Sequence, residues 1–111
     1  MIPISDCEPI ELPEGVLLIG PCDKNSCEGY LMLHPGQALD KHTRPVDEKL
    51  QQVEGESVIT IDEHRLPLKV GDMIMIAANK VHQHRNDSKD TSITHWYFNG
   101  DITDIINKLR E

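Results

Sequence analysis

The chain has 111 residues, 38% hydrophobic and 27% charged, a length and composition that fit one globular domain with its own core. Lys and Arg number 11 against 19 Asp and Glu, a formal net charge of −8. Phosphate needs a basic face, so nucleic acid and anionic membrane are excluded as partners.

No run approaches the roughly 18 apolar residues of a membrane span. Residues 1–15 lack the basic and apolar regions of a secretory signal, so the expected compartment is the cytoplasm. Turn signals recur at short intervals, from Pro13-Glu14-Gly15 to Asn99-Gly100. Between them, strands are predicted near residues 16–19, 30–33, 42–44, 50–53, 57–61, 66–70, 73–77, 82–85 and 92–98. Short strands at that spacing, with no helices between, indicate an all-β sandwich or barrel and argue against a parallel α/β sheet. SVITI and LPLKV alternate on either side of the turn DEHR and read as a hairpin. Pro67 suits an edge position there.

The last segment has a different period. Ile102, Ile105, Ile106 and Leu109 recur at one-face helical spacing, so a helix is expected over about residues 101–111. Asp101 can cap it, Asp104 suits its first turn, and Lys108 and Arg110 suit its end. The helix is expected to cover a sheet edge or to meet another subunit. The cysteines are Cys7, Cys22 and Cys27. An odd count without a secretory signal argues against a disulfide framework, and reduced thiols are expected.

Two segments carry polar residues at telling intervals. The first holds Gly36, His42, Arg44, Glu48 and Gly55; the second holds Gly71, Ala77, Asn79, His82 and Asn86. A strand places alternate side chains on one face, so such residues can converge inside a barrel. Together and in this order the segments resemble the two motifs of the cupin family, G-x5-H-x-H-x3,4-E-x6-G and G-x5-P-x-G-x2-H-x3-N. Every spacing holds. Arg44 stands for the second histidine of motif one, Ala77 for the proline and Asn79 for the glycine of motif two. Asn tolerates the left-handed backbone region, so the turn survives that change.

The resemblance implies an all-β double-stranded β-helix, the cupin jelly-roll barrel, with a short C-terminal α-helix, spanning residues 1–111 as one domain. Motif one covers 36–55 and motif two 71–86. It also implies a homodimer. Carried over residue by residue, it makes His42, Glu48 and His82 candidate ligands of a divalent transition metal such as Fe, Mn, Zn or Ni. Two imidazoles and a carboxylate are a sufficient set. No organic cofactor is implied.

Arg44 cannot ligate a metal. It can bind a carboxylate or phosphate of a ligand in a bidentate manner, or pair with Glu48. His84 lies two residues past His82 and is a candidate substrate-binding group. Gln52 shares strand parity with Glu48 and is another. His95 is expected at the edge of the core. Two functional readings follow. In the first, the barrel binds a divalent metal and a small anionic molecule, with oxygenase, isomerase or lyase chemistry open. In the second, it is a metal-free binding or sensor barrel in which an Arg44–Glu48 pair replaces the metal. A third possibility is a scaffold whose barrel only supports a dimer. No Ser/His/Asp or Cys/His arrangement suggests a peptide-bond hydrolase.

Overall fold

The computed structural model describes all of residues 1–111. A short 3-10 turn at Ile4–Asp6 precedes nine strands: β1 (Glu8–Leu12), β2 (Gly15–Cys22), β3 (Cys27–Leu33), β4 (Glu48–Glu54), β5 (Ser57–Ile61), β6 (His64–Leu68), β7 (Met73–Ile76), β8 (His82–Arg85) and β9 (Ser92–Phe98). A helix, α1 (Thr103–Leu109), follows. All pairings are antiparallel. One sheet runs β1-β2-β3-β9-β4-β7 and the other β6-β5-β8. This is the expected double-stranded β-helix. No helix is long and apolar enough to cross a membrane.

Strand register explains the interior. Across β3, β9 and β4 the inward residues form rows: Cys27, Phe98 and Glu48; then Gly29, Trp96 and Leu50; then Leu31, Thr94 and Gln52. Gly29 is required in its row, because a Cβ there would lie 2.6 Å from Cζ2 of Trp96. The smaller sheet contributes Ile59 and Leu68 to the same apolar core.

The β5–β6 hairpin turns on two residues, Asp62 and Glu63, both at positive φ (47° and 71°). β6 therefore begins at His64, earlier than the 66–70 strand expected from the sequence, because a two-residue turn with left-handed residues matches strand twist. Pro67 lies on β6, which is an edge strand, where its missing N–H costs no ladder bond. β1 was not anticipated from the sequence. Residues 42–44 do not form a strand; only His42 makes an isolated bridge, to His82. Pro45, which has no N–H to give, closes that segment.

Cys22 and Cys27 are disulfide-bonded across the end of the β2–β3 hairpin, which corrects the expectation of reduced thiols. The two residues are direct partners in the register, and Asp23 tightens the loop between them by accepting from the N–H groups of Asn25 and Ser26. Cys7 alone is free. α1 is shorter than the 101–111 expected. Asp101 sits just outside it and accepts from the N–H (2.9 Å) and hydroxyl (2.6 Å) of Thr103. At the other end Arg110 Nε and Nη2 donate to Glu8 Oε1 of β1 at 3.1 and 2.9 Å.

Asn79 takes φ 65° and Gly55 φ 66°, the left-handed region that favours glycine. An added Cβ at Gly55 would collide with the carbonyl oxygen of Thr91. Gly55→Ala is therefore expected to cost at least about 2 kcal/mol in urea unfolding, and Asn79→Gly less than about 0.5 kcal/mol.

Candidate functional site

The second half of motif one pairs with motif two as β4 on β7, but its first half, residues 36–44, forms no regular strand. It is held by backbone bonds spaced along β8 and the turn before it. Gly36 N donates to Asn86 O (2.8 Å), Asn86 N to Gln37 O (2.9 Å) and Leu39 N to His84 O (3.0 Å). His42 and His82 exchange two bonds of 3.0 Å, and Asn79 N donates to Arg44 O (2.8 Å). The two imidazoles consequently meet edge to face, ring centroids 4.2 Å apart.

Each of these rings is oriented by its own backbone. Nδ1 of His42 lies 2.8 Å from Asp40 O and Nδ1 of His82 lies 3.0 Å from Lys80 O. A carbonyl only accepts, so both rings carry their proton on Nδ1 and present Nε2 as a lone pair. Nε2 of His82 faces Glu48 Oε1 at 3.4 Å, an ion pair only when His82 takes a second proton. His84, buried like His82, has Nε2 3.2 Å from Thr94 Oγ1.

These groups form one end of a cavity of about 50 Å³ between the sheets. Its polar lining is His42, Arg44, Glu48, His82 and His84; its other ten lining residues are hydrophobic. Leu50, Trp96 and Phe98 form part of the apolar wall, and Ile102, Ile105, Ile106 and Leu109 of α1 close it. A family model for the cupin domain matches residues 29–98. The chain belongs to the cupin family.

Solved structures agree on the fold. An uncharacterised conserved protein with a double-stranded β-helix domain from Klebsiella pneumoniae is 17% identical with a TM-score of 0.80, covering 92% of this chain and 90% of its own. An RmlC-like cupin from Shewanella frigidimarina is 16% identical with a TM-score of 0.80, covering 91% and 90%. Oxalate decarboxylase from Bacillus subtilis is 20% identical with a TM-score of 0.77, covering 88% of this chain and 28% of that one. No curated protein matches the sequence.

Against this cupin frame, five of the six residues singled out from the sequence line one cavity. Gln52 is the exception. It is fully buried behind the wall, bonded to Ser57, Ser92, Thr94 and the carbonyl of Glu54. Strand parity alone could not distinguish a lining residue from one packed a row deeper. Arg44 lines the cavity and donates to Thr43 O at 3.2 Å, and the direct Arg44–Glu48 ion pair of the alternative reading does not form. His82 stands against Glu48 instead. His95 points to the opposite face of β9, against Tyr30 and with Nε2 2.9 Å from Glu28 Oε2, the core-edge place expected for it. The apolar wall supplied by α1 was missed: its helical period marked a buried face without saying what the face covers.

The donor types suit a divalent ion, but no group of three or more His, Cys, Asp or Glu side chains is placed to hold one. The Arg44 guanidinium in the same wall further disfavours a cation.

Burial drives the electrostatics. Desolvation, helped by the nearby Arg44 charge, pushes His42 down to about 4 against the pull of the Asp40 carbonyl. Burial pushes His84 down to about 3. Both rings are neutral at pH 7. Burial also lowers Arg44, with Glu48 pulling it back, and a guanidinium keeps its charge regardless. As pH falls below about 6.5, the unfolded chain gains protons on both histidines before the fold does. Stability is fully present above that pH and declines as pH drops toward 4. Denaturant midpoints measured from pH 7 to about 4.5 should fall steadily, and less steeply in His84→Gln.

Proposed function

We propose that this cupin binds a small molecule with an apolar body and an anionic group, the anion held by Arg44. One observation carries the reading: the cavity sets ten hydrophobic residues against a polar end whose guanidinium feels the Glu48 charge but makes no direct ion pair with it. A planar, permanently charged fork is suited to a carboxylate or phosphate, and partial burial strengthens the attraction. Residues His84 and His42 offer neutral lone pairs beside it, and Gln52 contributes by supporting His84 rather than by touching the ligand. The cavity is about 50 Å³, room for a small occupant. The occupant is therefore a few heavy atoms long unless α1 yields.

A second reading places a divalent transition ion, Fe, Mn, Zn or Ni, on His42, Glu48 and His82. It is favoured by the two Nδ1 groups locked on backbone carbonyls, which present both Nε2 atoms to the cavity. In either reading the whole chain acts as one cupin unit, in the cytoplasm and as a homodimer. Supporting the dimer, β7 edges the larger sheet with Met73 and Met75 exposed.

Calorimetric titration with butyrate tests the first reading. Wild type should bind, and Arg44→Met should weaken binding at least about tenfold, one charge-assisted bond's worth. Equal affinity in the variant would reject Arg44 as the anchor. Elemental analysis of protein purified without chelator tests the second: a stoichiometric transition metal, increased in Arg44→His, would favour it.

A further inference from the structure

The polar groups behind the cavity determine what His84 can offer to a ligand. Gln52, 1% exposed, uses its whole hydrogen-bonding capacity. Its Nε2 donates to Glu54 O (2.8 Å) and Ser92 Oγ (2.9 Å). Its Oε1 accepts from Ser57 Oγ (2.7 Å) and Thr94 Oγ1 (2.8 Å). A carboxamide has two N–H donors and two acceptor sites, so none is left over. The carbonyl of Glu54 can only accept, which settles the orientation of the amide.

The consequence passes through Thr94. Its single hydroxyl proton goes to Gln52 Oε1. Toward His84 Nε2, 3.2 Å away, Thr94 Oγ1 can then only accept. By elimination His84 carries its proton on Nε2, and the neutral ring keeps a lone pair on Nδ1. That atom has no partner in the protein, yet it is not among the sealed, unpartnered buried atoms. The ring lines the cavity, so Nδ1 opens into it.

We infer that Nδ1 of His84 is the acceptor that selects a ligand bearing a hydroxyl beside its anionic group, which makes the ligand class small aliphatic hydroxy acids. The inference rests on the reading of the cavity as an acid-binding site with Arg44 as anchor. A hydroxyl fits better than an amine, because an ammonium would stand beside the Arg44 guanidinium. A hydroxyl carries the proton that the Nδ1 lone pair of His84 can accept. Thr94 and Gln52 are positioning residues: they act only by holding the tautomer of His84.

Two measurements decide it. In nitrogen-15 NMR of the unliganded wild type, His84 should show a protonated Nε2 and an unprotonated Nδ1; the reverse tautomer overturns the assignment. By calorimetry, wild type should bind α-hydroxybutyrate at least about tenfold more tightly than butyrate. That ratio should fall to near one in His84→Phe and in Thr94→Val. If both acids bind wild type equally, or the ratio survives in His84→Phe, His84 is not the selector although Arg44 remains the anchor. If neither acid binds wild type, the acid-binding reading itself fails and this inference falls with it.

Discussion

The seam of backbone hydrogen bonds between residues 36–44 and 79–86 is the constraint on which the rest depends. Each bond contributes only about 1 kcal/mol net, but together they set register. The paired bonds of His42 and His82 bring imidazoles from separate segments to ring contact. A slip of one residue along β8 would turn His82 and His84 out of the barrel and bring Gln83 and Arg85 in. Asn86 pins the end of the seam. It is fully buried, and its amide donates to Leu33 O and Asp90 O while its oxygen accepts from the backbone and hydroxyl of Ser88.

The cavity is shaped by what lies on either side of that seam. Rows of inward residues on β3, β9 and β4 supply its apolar wall, and α1 closes it with the one apolar face it has. Its flanking tethers are polar and peripheral: Asp101 holding Thr103 before the first turn, and Arg110 on Glu8 just past the last. The energetics of closure therefore come mainly from burying isoleucine and leucine side chains, at roughly 25 cal/mol per Å². Exposed ion pairs such as the one at Arg110 add little.

Net charge and local charge diverge in this molecule. The chain carries −8 overall, yet the polar end of the cavity combines a guanidinium with two imidazoles held neutral by burial. Glu48 faces His82 rather than the guanidinium. An acidic protein can in this way keep a guanidinium inside, where the reduced dielectric makes each charge, that of Glu48 included, count for more than on the surface.

Much of this was legible without coordinates. The spacing of two motifs, the alternation in Ser57–Ile61 and the helical period of the last residues pointed to the barrel, to five residues that line its cavity and to α1. Glycine-like backbone at Asn79 could be read from its motif position and is seen at φ 65°. What the sequence by itself determined is which side chains share a strand face, because pleat and helix periods are local properties. Only the tertiary structure decided that Cys22 meets Cys27, that Gln52 stands a row behind the wall, that Glu48 faces His82 instead of Arg44, and that α1 roofs the cavity. Those outcomes depend on register between distant segments and on the distance across the barrel, which no local period encodes.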